Sequence, residues 1–216
     1  MHQQADVSHD REPQASSLIG SRAIDFAARS TKGSIRLSDM AGRWVLLFCH
    51  PADFTPVCTS EFVALAEQHQ EFAEMGVQLL GLSVDSVYSH MGWVEWIERE
   101  FGTAIEFPVI EDVSMDIARA YQMIDTTSQT TSTVRSCFFI DPEQIIQAII
   151  HYPMHIGRSI QELQRVQQAL IETYQTNQTA PANWMPGDSF MLSAADALVE
   201  PKKDWLQRVM NRPEKT

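Results

Sequence analysis

Two kinds of hydrophobic pattern alternate along the chain, and each predicts a different element. Continuous apolar runs of strand length occupy residues 44–49 and 77–84. Two more, at 137–140 and 145–150, flank Asp141-Pro142-Glu143-Gln144, a turn sequence that predicts a hairpin. Runs without polar alternation predict strands covered on both faces. Elsewhere the apolar positions recur at steps of three and four. Phe62, Leu65, Ala66, His69, Phe72 and Met75 predict one helix ending at Gly76. Ser86 opens a second helix carrying Met91, Val94, Ile97 and Phe101, and Ser114 a short third through Ile117 and Tyr121. Ser159-Ile160-Gln161-Glu162 has the capping-box pattern and leads into Leu163, Val166, Leu170 and Tyr174. Strand, helix, strand, helix, hairpin and final helix predict an α/β fold, a sheet flanked by helices.

The termini break this pattern. Residues 1–17 are polar, with almost nothing to bury, and predict a disordered tail. After Gln175 a Pro- and Asn-bearing connector leads to a C-terminal arm, 176–216, that still holds Trp184, Phe190, Leu198 and Trp205. Aromatics in a short arm predict packing against the domain or a second chain. The core domain is therefore expected at 18–175, and a closed two-fold dimer is expected to use the arm.

Charge narrows the function classes. Lys plus Arg number 16 and Asp plus Glu 28, a net charge of −12 among 216 residues. Such a surface argues against nucleic acid or anionic lipid as partner. No apolar run approaches the ~18 residues of a membrane helix, and the first residues lack a signal-peptide core. Three cysteines, Cys49, Cys58 and Cys137, suit a reducing compartment, so a cytoplasmic location is expected.

The chemistry concentrates in His50-Pro51-Ala52-Asp53-Phe54-Thr55-Pro56-Val57-Cys58-Thr59-Ser60-Glu61. A buried strand ends at Cys49 and an amphipathic helix begins within this loop. Thr55 suits the N-cap and Pro56 the first helical position. Cys58 then falls in the first turn, among free N–H groups at the positive end of the helix dipole, where thiolate is favoured over thiol. The Thr55 hydroxyl, three residues earlier, is close enough to bond the sulfur or a substrate oxygen. Strand alternation points Cys49 to the face opposite His50, and Cys137 lies within a core run.

This segment resembles the active-site motif of the peroxiredoxins, Pro-x-x-x-Thr-x-x-Cys, in its longer form. Further likeness runs from about Leu18 to Asp188: Leu37-Ser38-Asp39, Ser83-Val84-Asp85-Ser86, Phe107-Pro108-Val109-Ile110, Thr133-Val134-Arg135 and Phe139-Ile140-Asp141-Pro142. Tyr152-Pro153, Gly157-Arg158 and Asn183-Trp184-x-Pro186-Gly187-Asp188 resemble the one-cysteine, peroxiredoxin 6-like branch. The resemblance implies a thioredoxin-like fold with a C-terminal extension, and assembly as a homodimer or a ring of dimers. It also implies peroxide reduction by Cys58 as nucleophile, with an external thiol reductant (thioredoxin-, glutaredoxin- or glutathione-like) and no metal or other cofactor. Thr55 would hold thiolate and peroxide together and Pro51 would shield the sulfur. Arg135 would stabilise the developing charge. Glu61 would orient the network, Arg158 would be the branch's second arginine, and His50 would line the pocket.

Three departures qualify the likeness. No cysteine follows Cys137, so a C-terminal resolving cysteine is absent from this chain. Ile24 replaces a customary proline, and Ala41-Gly42-Arg43-Trp44 lacks the serine of the mammalian branch's phospholipase motif. Competing chemistries fare worse. A disulfide reductase needs Cys-x-x-Cys, and a zinc site needs about four converging ligands. A cysteine hydrolase needs a placed histidine base, for which His151 or His155 are the candidates. A chaperone-like oligomer on the same fold stands as the non-enzymatic alternative. A two-cysteine mechanism using Cys137 or Cys49 stands as the enzymatic one.

Overall fold

Among the residues that the computed structural model describes, 17–124 and 133–193, seven strands form one mixed sheet. They are β1 (Ala27–Ser30), β2 (Gly33–Arg36), β3 (Trp44–Cys49), β4 (Val77–Ser83), β5 (Val109–Glu111), β6 (Arg135–Ile140) and β7 (Ile146–Tyr152). The order is β2-β1-β5-β4-β3-β6-β7, with β3, β4 and β5 parallel and the other neighbours antiparallel. The predicted runs became β3, β4 and the β6–β7 hairpin. β1, β2 and β5 were not expected: each has only three or four residues, too short for a periodic signal.

The central strands β3 and β6 are buried along their whole length, as continuous apolar runs require. Alternate residues feed two cores. Leu46, Phe48, Leu79, Cys137 and Phe139 face helices α1 (Pro56–Glu67), α2 (His69–Glu74), α3 (Val87–Phe101) and α5 (Ile160–Thr176). Val45, Leu47, Cys49, Leu80, Leu82 and Phe138 face α4 (Asp116–Ala120) and the turn around Leu37.

The helices depart from the sequence expectation in three places. The single helix expected to run to Gly76 is interrupted at Gln68 (φ −105°, ψ 8°) between α1 and α2. α4 is capped by Asp112, whose carboxylate accepts from the Ile117 and Ala118 N–H groups at 3.2 and 2.7 Å; Ser114 instead donates to Asp116. α3 opens at Ser86 as expected, but it buries Val87, His90, Trp93 and Ile97, leaving Met91 and Phe101 exposed.

α5 begins at the expected cap, with Ser159 Oγ accepting from the Glu162 N–H at 3.3 Å. The described part of the arm folds back onto α5. Trp184 is buried, its ring 5.0 Å from Phe190, and its carbonyl accepts from Arg165 at 3.0 Å. The expected tail up to residue 16 and the arm's Leu198 and Trp205 lie outside the described residues. Among the described residues, no helix is long and apolar enough to cross a membrane.

Candidate active site

The loop after β3 turns sharply into α1. Pro51 is buried at the strand end, and Phe54 takes a left-handed conformation (φ 58°) that swings the chain toward the helix. Thr55 occupies the N-cap and Pro56 the first helical position. The Thr55 side chain does not cap, however; its hydroxyl donates to the Ala52 carbonyl at 2.8 Å. With its proton committed, Thr55 Oγ1 can offer only lone pairs to a third group. The helical ladder starts with Thr59 N–H on the Thr55 carbonyl at 2.9 Å, so the Val57 and Cys58 amides precede it.

Cys58 is fully buried in the first turn. Its sulfur accepts a hydrogen bond from Arg135 Nη1 at 3.3 Å, and no other side chain among the described residues bonds to it. Arg135 begins β6, so its backbone is fixed by the sheet. Its Nε and Nη2 both donate to the Met154 carbonyl, at 2.9 and 2.7 Å. Its Nη1 also reaches Glu61 Oε2 at 2.7 Å. The guanidinium is thus held along two edges and aimed at the sulfur.

Glu61 lies one turn after Cys58 and joins two arginines. Arg158 donates to it from Nη2 (2.7 Å), Nε (2.9 Å) and its backbone N–H (2.8 Å). Arg158 also bonds the Cys49 carbonyl at 3.0 Å, approaches Cys137 Sγ at 3.6 Å and stacks over Phe48 at 5.1 Å. The three side chains are at most 3 % exposed. Burial alone would raise the Glu61 carboxyl; Arg158 first, then Arg135, outweigh it and hold the group below its usual range. The other two thiols sit in a different electrostatic setting. Burial pushes Cys49 up, and pushes Cys137 up to about 11 despite the nearby Arg158.

His50 is fully buried between the rings of Phe62 (4.8 Å) and Trp93 (5.0 Å), which belong to the same core cluster as Cys58. Its Nε2 faces Asp53 Oδ1 at 2.8 Å, and Asp53 in turn faces His90 Nδ1 at 2.8 Å. The sequence pattern did not single out Asp53 or His90. Asp53 lay inside the motif, and His90 sits seven residues before Ile97 on the same inner stripe of α3, which was the available signal. His50, Asp53 and His90 form the one group of converging ligand-type atoms among the described residues. Their 2.8 Å spacings are tighter than the roughly 3.3 Å between ligands of a tetrahedral ion at ~2.0 Å, so they suit hydrogen bonds better than a metal. His151 bonds Ser136 Oγ at 2.7 Å and His155 is exposed, so neither is placed as a base for Cys58.

Known proteins share the sequence pattern and fold of this chain. Residues 19–149 match the AhpC/TSA family. A peroxiredoxin of Thermoplasma volcanium is 48 % identical over 170 residues, covering 79 % of this chain and 83 % of the relative. Peroxiredoxin 2 of Caldanaerobacter subterraneus is 52 % identical over 169 residues, covering 78 % and 76 %. Among solved structures, a yeast mitochondrial 1-Cys peroxiredoxin superposes with a TM-score of 0.76 at 38 % identity, covering 84 % of this chain and 91 % of that one. A cysteine-to-serine variant of peroxiredoxin 6 from Arenicola marina gives 0.76 at 33 %, covering 84 % and 87 %. The 2-Cys peroxiredoxin of Plasmodium vivax gives 0.74 at 30 %, covering 81 % and 92 %. The chain belongs to the AhpC/TSA family. It has a thioredoxin-like fold and the activity class of the peroxiredoxins, thiol-dependent peroxidases.

Proposed function

We propose that the chain reduces hydrogen peroxide and alkyl hydroperoxides by a one-cysteine cycle centred on Cys58. The observation that carries this reading is the Arg135 guanidinium 3.3 Å from Cys58 Sγ, held in place by Met154 and Glu61. Two arginines against one glutamate leave the buried cluster one positive charge in excess, which a Cys58 thiolate neutralises. The thiolate attacks one peroxide oxygen. The S–O bond forms as the O–O bond breaks, sulfur is oxidised to the sulfenic acid, and the leaving oxygen takes a proton to depart as water or alcohol. Arg135 donors stabilise the charge that grows on that oxygen. Thr55 Oγ1 accepts the peroxide O–H, and Pro51 shields the sulfur.

An external thiol then displaces hydroxide from the sulfenic sulfur, giving a mixed disulfide and water. A second thiol releases the symmetrical disulfide and restores Cys58. Thioredoxin-, glutaredoxin- and glutathione-like thiols fit this step. The sulfur is fully buried, so a small peroxide suits the closed form, and a bulkier thiol requires the first turn of α1 to open. Burial of Cys49 and Cys137 and their raised thiols support an external reductant over an internal one. The competing two-cysteine reading draws on Cys137, which shares the core face of Cys58. We also propose a cytoplasmic antioxidant role and a homodimer or ring of dimers, with the arm beyond Gln175 at a subunit interface.

Peroxide consumption with added thiol tests the cycle. Cys58→Ser should abolish turnover, while Cys49→Ser and Cys137→Ser keep most of it. Loss in Cys137→Ser together with a Cys58–Cys137 disulfide would establish the two-cysteine reading instead. Light scattering on the full chain and on a chain ending at Gln175 tests assembly. A monomeric full chain, or an oligomer unaltered by truncation, would remove the proposed role of the arm.

A further inference from the structure

The first turn of α1 is held from two sides. Successive helical residues point about 100° apart, so Cys58 and Thr59 meet different neighbours. Cys58 meets β6, where Arg135 donates to its sulfur at 3.3 Å. Thr59 meets α3, where its Oγ1 accepts from the Trp93 indole N–H at 3.4 Å. The Thr59 hydroxyl proton goes to the Thr55 carbonyl at 2.9 Å, the same oxygen that takes the Thr59 N–H. A chain of two hydrogen bonds thus runs from the start of α1, through one hydroxyl, to α3. Thr59 is 6 % exposed and Trp93 is fully buried, so water competes for neither bond. The Trp93 ring is itself wedged in place, 4.5 Å from Phe62 of α1, 5.0 Å from His50 and 6.4 Å from Phe54. One side chain of α3 therefore borders both ends of the loop that leads into Cys58.

We infer that Trp93 is a positioning residue that selects the reductant: its indole N–H latches the Cys58 turn shut through Thr59 and so disfavours bulky thiols. The inference rests on the reading that an outside thiol reduces oxidised Cys58. Oxidation turns a thiolate into a neutral sulfenic acid, which weakens the charged hold of Arg135 on the sulfur. The Thr59 contact does not involve the sulfur, so it outlasts that change. A reductant the size of a peroxide reaches the sulfur in the closed turn. A bulkier thiol waits for the turn to open, and its apparent rate is scaled down by the open fraction.

Two substitutions loosen the latch to different degrees. Trp93→Phe keeps a ring against His50 and Phe62 but removes the N–H. A bond of 3.4 Å is long, and the hydroxyl it leaves still has the Thr55 carbonyl, so the open fraction should rise about threefold. Thr59→Val keeps the shape of the side chain but removes both hydroxyl bonds. It also leaves the indole N–H buried without this acceptor in the closed turn, so the rise should be about tenfold. Thr59→Ser keeps the hydroxyl and should stay close to wild type.

The test uses the full chain and two readouts. The first is amide hydrogen exchange in the reduced protein. The amide at position 59 bonds the Thr55 carbonyl, so it exchanges when the turn opens. Its exchange should quicken by the factors above, while amides in the second half of α1 keep their wild-type rates. The second is reduction of peroxide-oxidised protein by glutathione and by hydrosulfide. Each displaces hydroxide from the sulfenic sulfur, leaving a mixed disulfide or a persulfide. The ratio of the glutathione rate to the hydrosulfide rate should rise by the same factors, and Thr59→Ser should restore it. A purely structural role would speed exchange throughout α1 and leave that ratio flat. Unchanged exchange at position 59, a rise spread evenly along α1, a flat ratio, or a Thr59→Ser chain that behaves like Thr59→Val would overturn the inference. If Trp93→Phe fails to fold, the two Thr59 variants carry the same comparison. A wild type that forms no glutathione adduct on Cys58 counts against the one-cysteine cycle instead, and the exchange rates still decide the latch.

Discussion

Glu61→Gln is the perturbation that most sharply tests whether the buried ion cluster holds site and fold together. The carboxylate accepts four hydrogen bonds of 2.7–2.9 Å, three of them from Arg158 and one from Arg135. An amide of the same shape keeps one acceptor and turns an NH2 group toward a guanidinium. With both arginines essentially unexposed, solvent cannot take over the lost charge. Removing one member of such a buried cluster costs about 3–5 kcal/mol. For a chain of this size each kcal/mol moves the midpoint roughly 2–4 °C, so Tm should fall by ~6–20 °C. Arg135 also loses the contact that aims it at Cys58, so stopped-flow oxidation should slow alongside. The pH dependence has a definite sign. Glu61 is held below its ordinary value of 4.5, so its contribution is present above that pH and lost as pH falls through the folded value. The stability gap between wild type and variant should therefore be level from neutrality down to about pH 5 and shrink below it. Thermal melts measure the midpoint shift, and urea melts followed by circular dichroism between pH 7 and pH 3 measure the gap. A shift under about 2 °C, or a gap that stays constant into acid, would refute the reasoning.

Two further outcomes follow from the same geometry. Arg135→Lys keeps the charge but cannot span the Met154 carbonyl, Glu61 and the sulfur at once, so Cys58 oxidation should slow by about 10²–10³; an unchanged stopped-flow rate would take Arg135 out of the site. In folded Cys58→Ser protein, Cys49 and Cys137 should resist alkylation at pH 8 and react once unfolded, because burial raises both thiols, Cys137 to about 11; reaction at a free-thiol rate would contradict this.

What the sequence disclosed divides along physical lines. β3, β4 and the β6–β7 hairpin were legible because fully buried strands leave unbroken apolar runs, whereas β1, β2 and β5 are too short to show a period. Cys58, Thr55 and Pro56 were placed correctly by turn and capping chemistry. The use of the Thr55 hydroxyl was not, since the loop at Phe54 brings the Ala52 carbonyl within its reach. Arg135, Arg158 and Glu61 could be paired only through the family resemblance, because their contacts span 74 and 97 residues of chain. His90 was hidden by its type. A histidine on an apolar helical stripe reads as core filler until the facing Asp53 is seen.

The central claim is that Cys58 alone carries the peroxide chemistry and hands its oxidation to an outside thiol. Peptide mass spectrometry after one equivalent of hydrogen peroxide, with sulfenic acid trapped by dimedone, addresses it most directly. The dimedone adduct should sit on Cys58, with Cys49 and Cys137 recovered as free thiols and no internal disulfide. An adduct on another cysteine, or a disulfide joining Cys58 to Cys137 or Cys49, would contradict it.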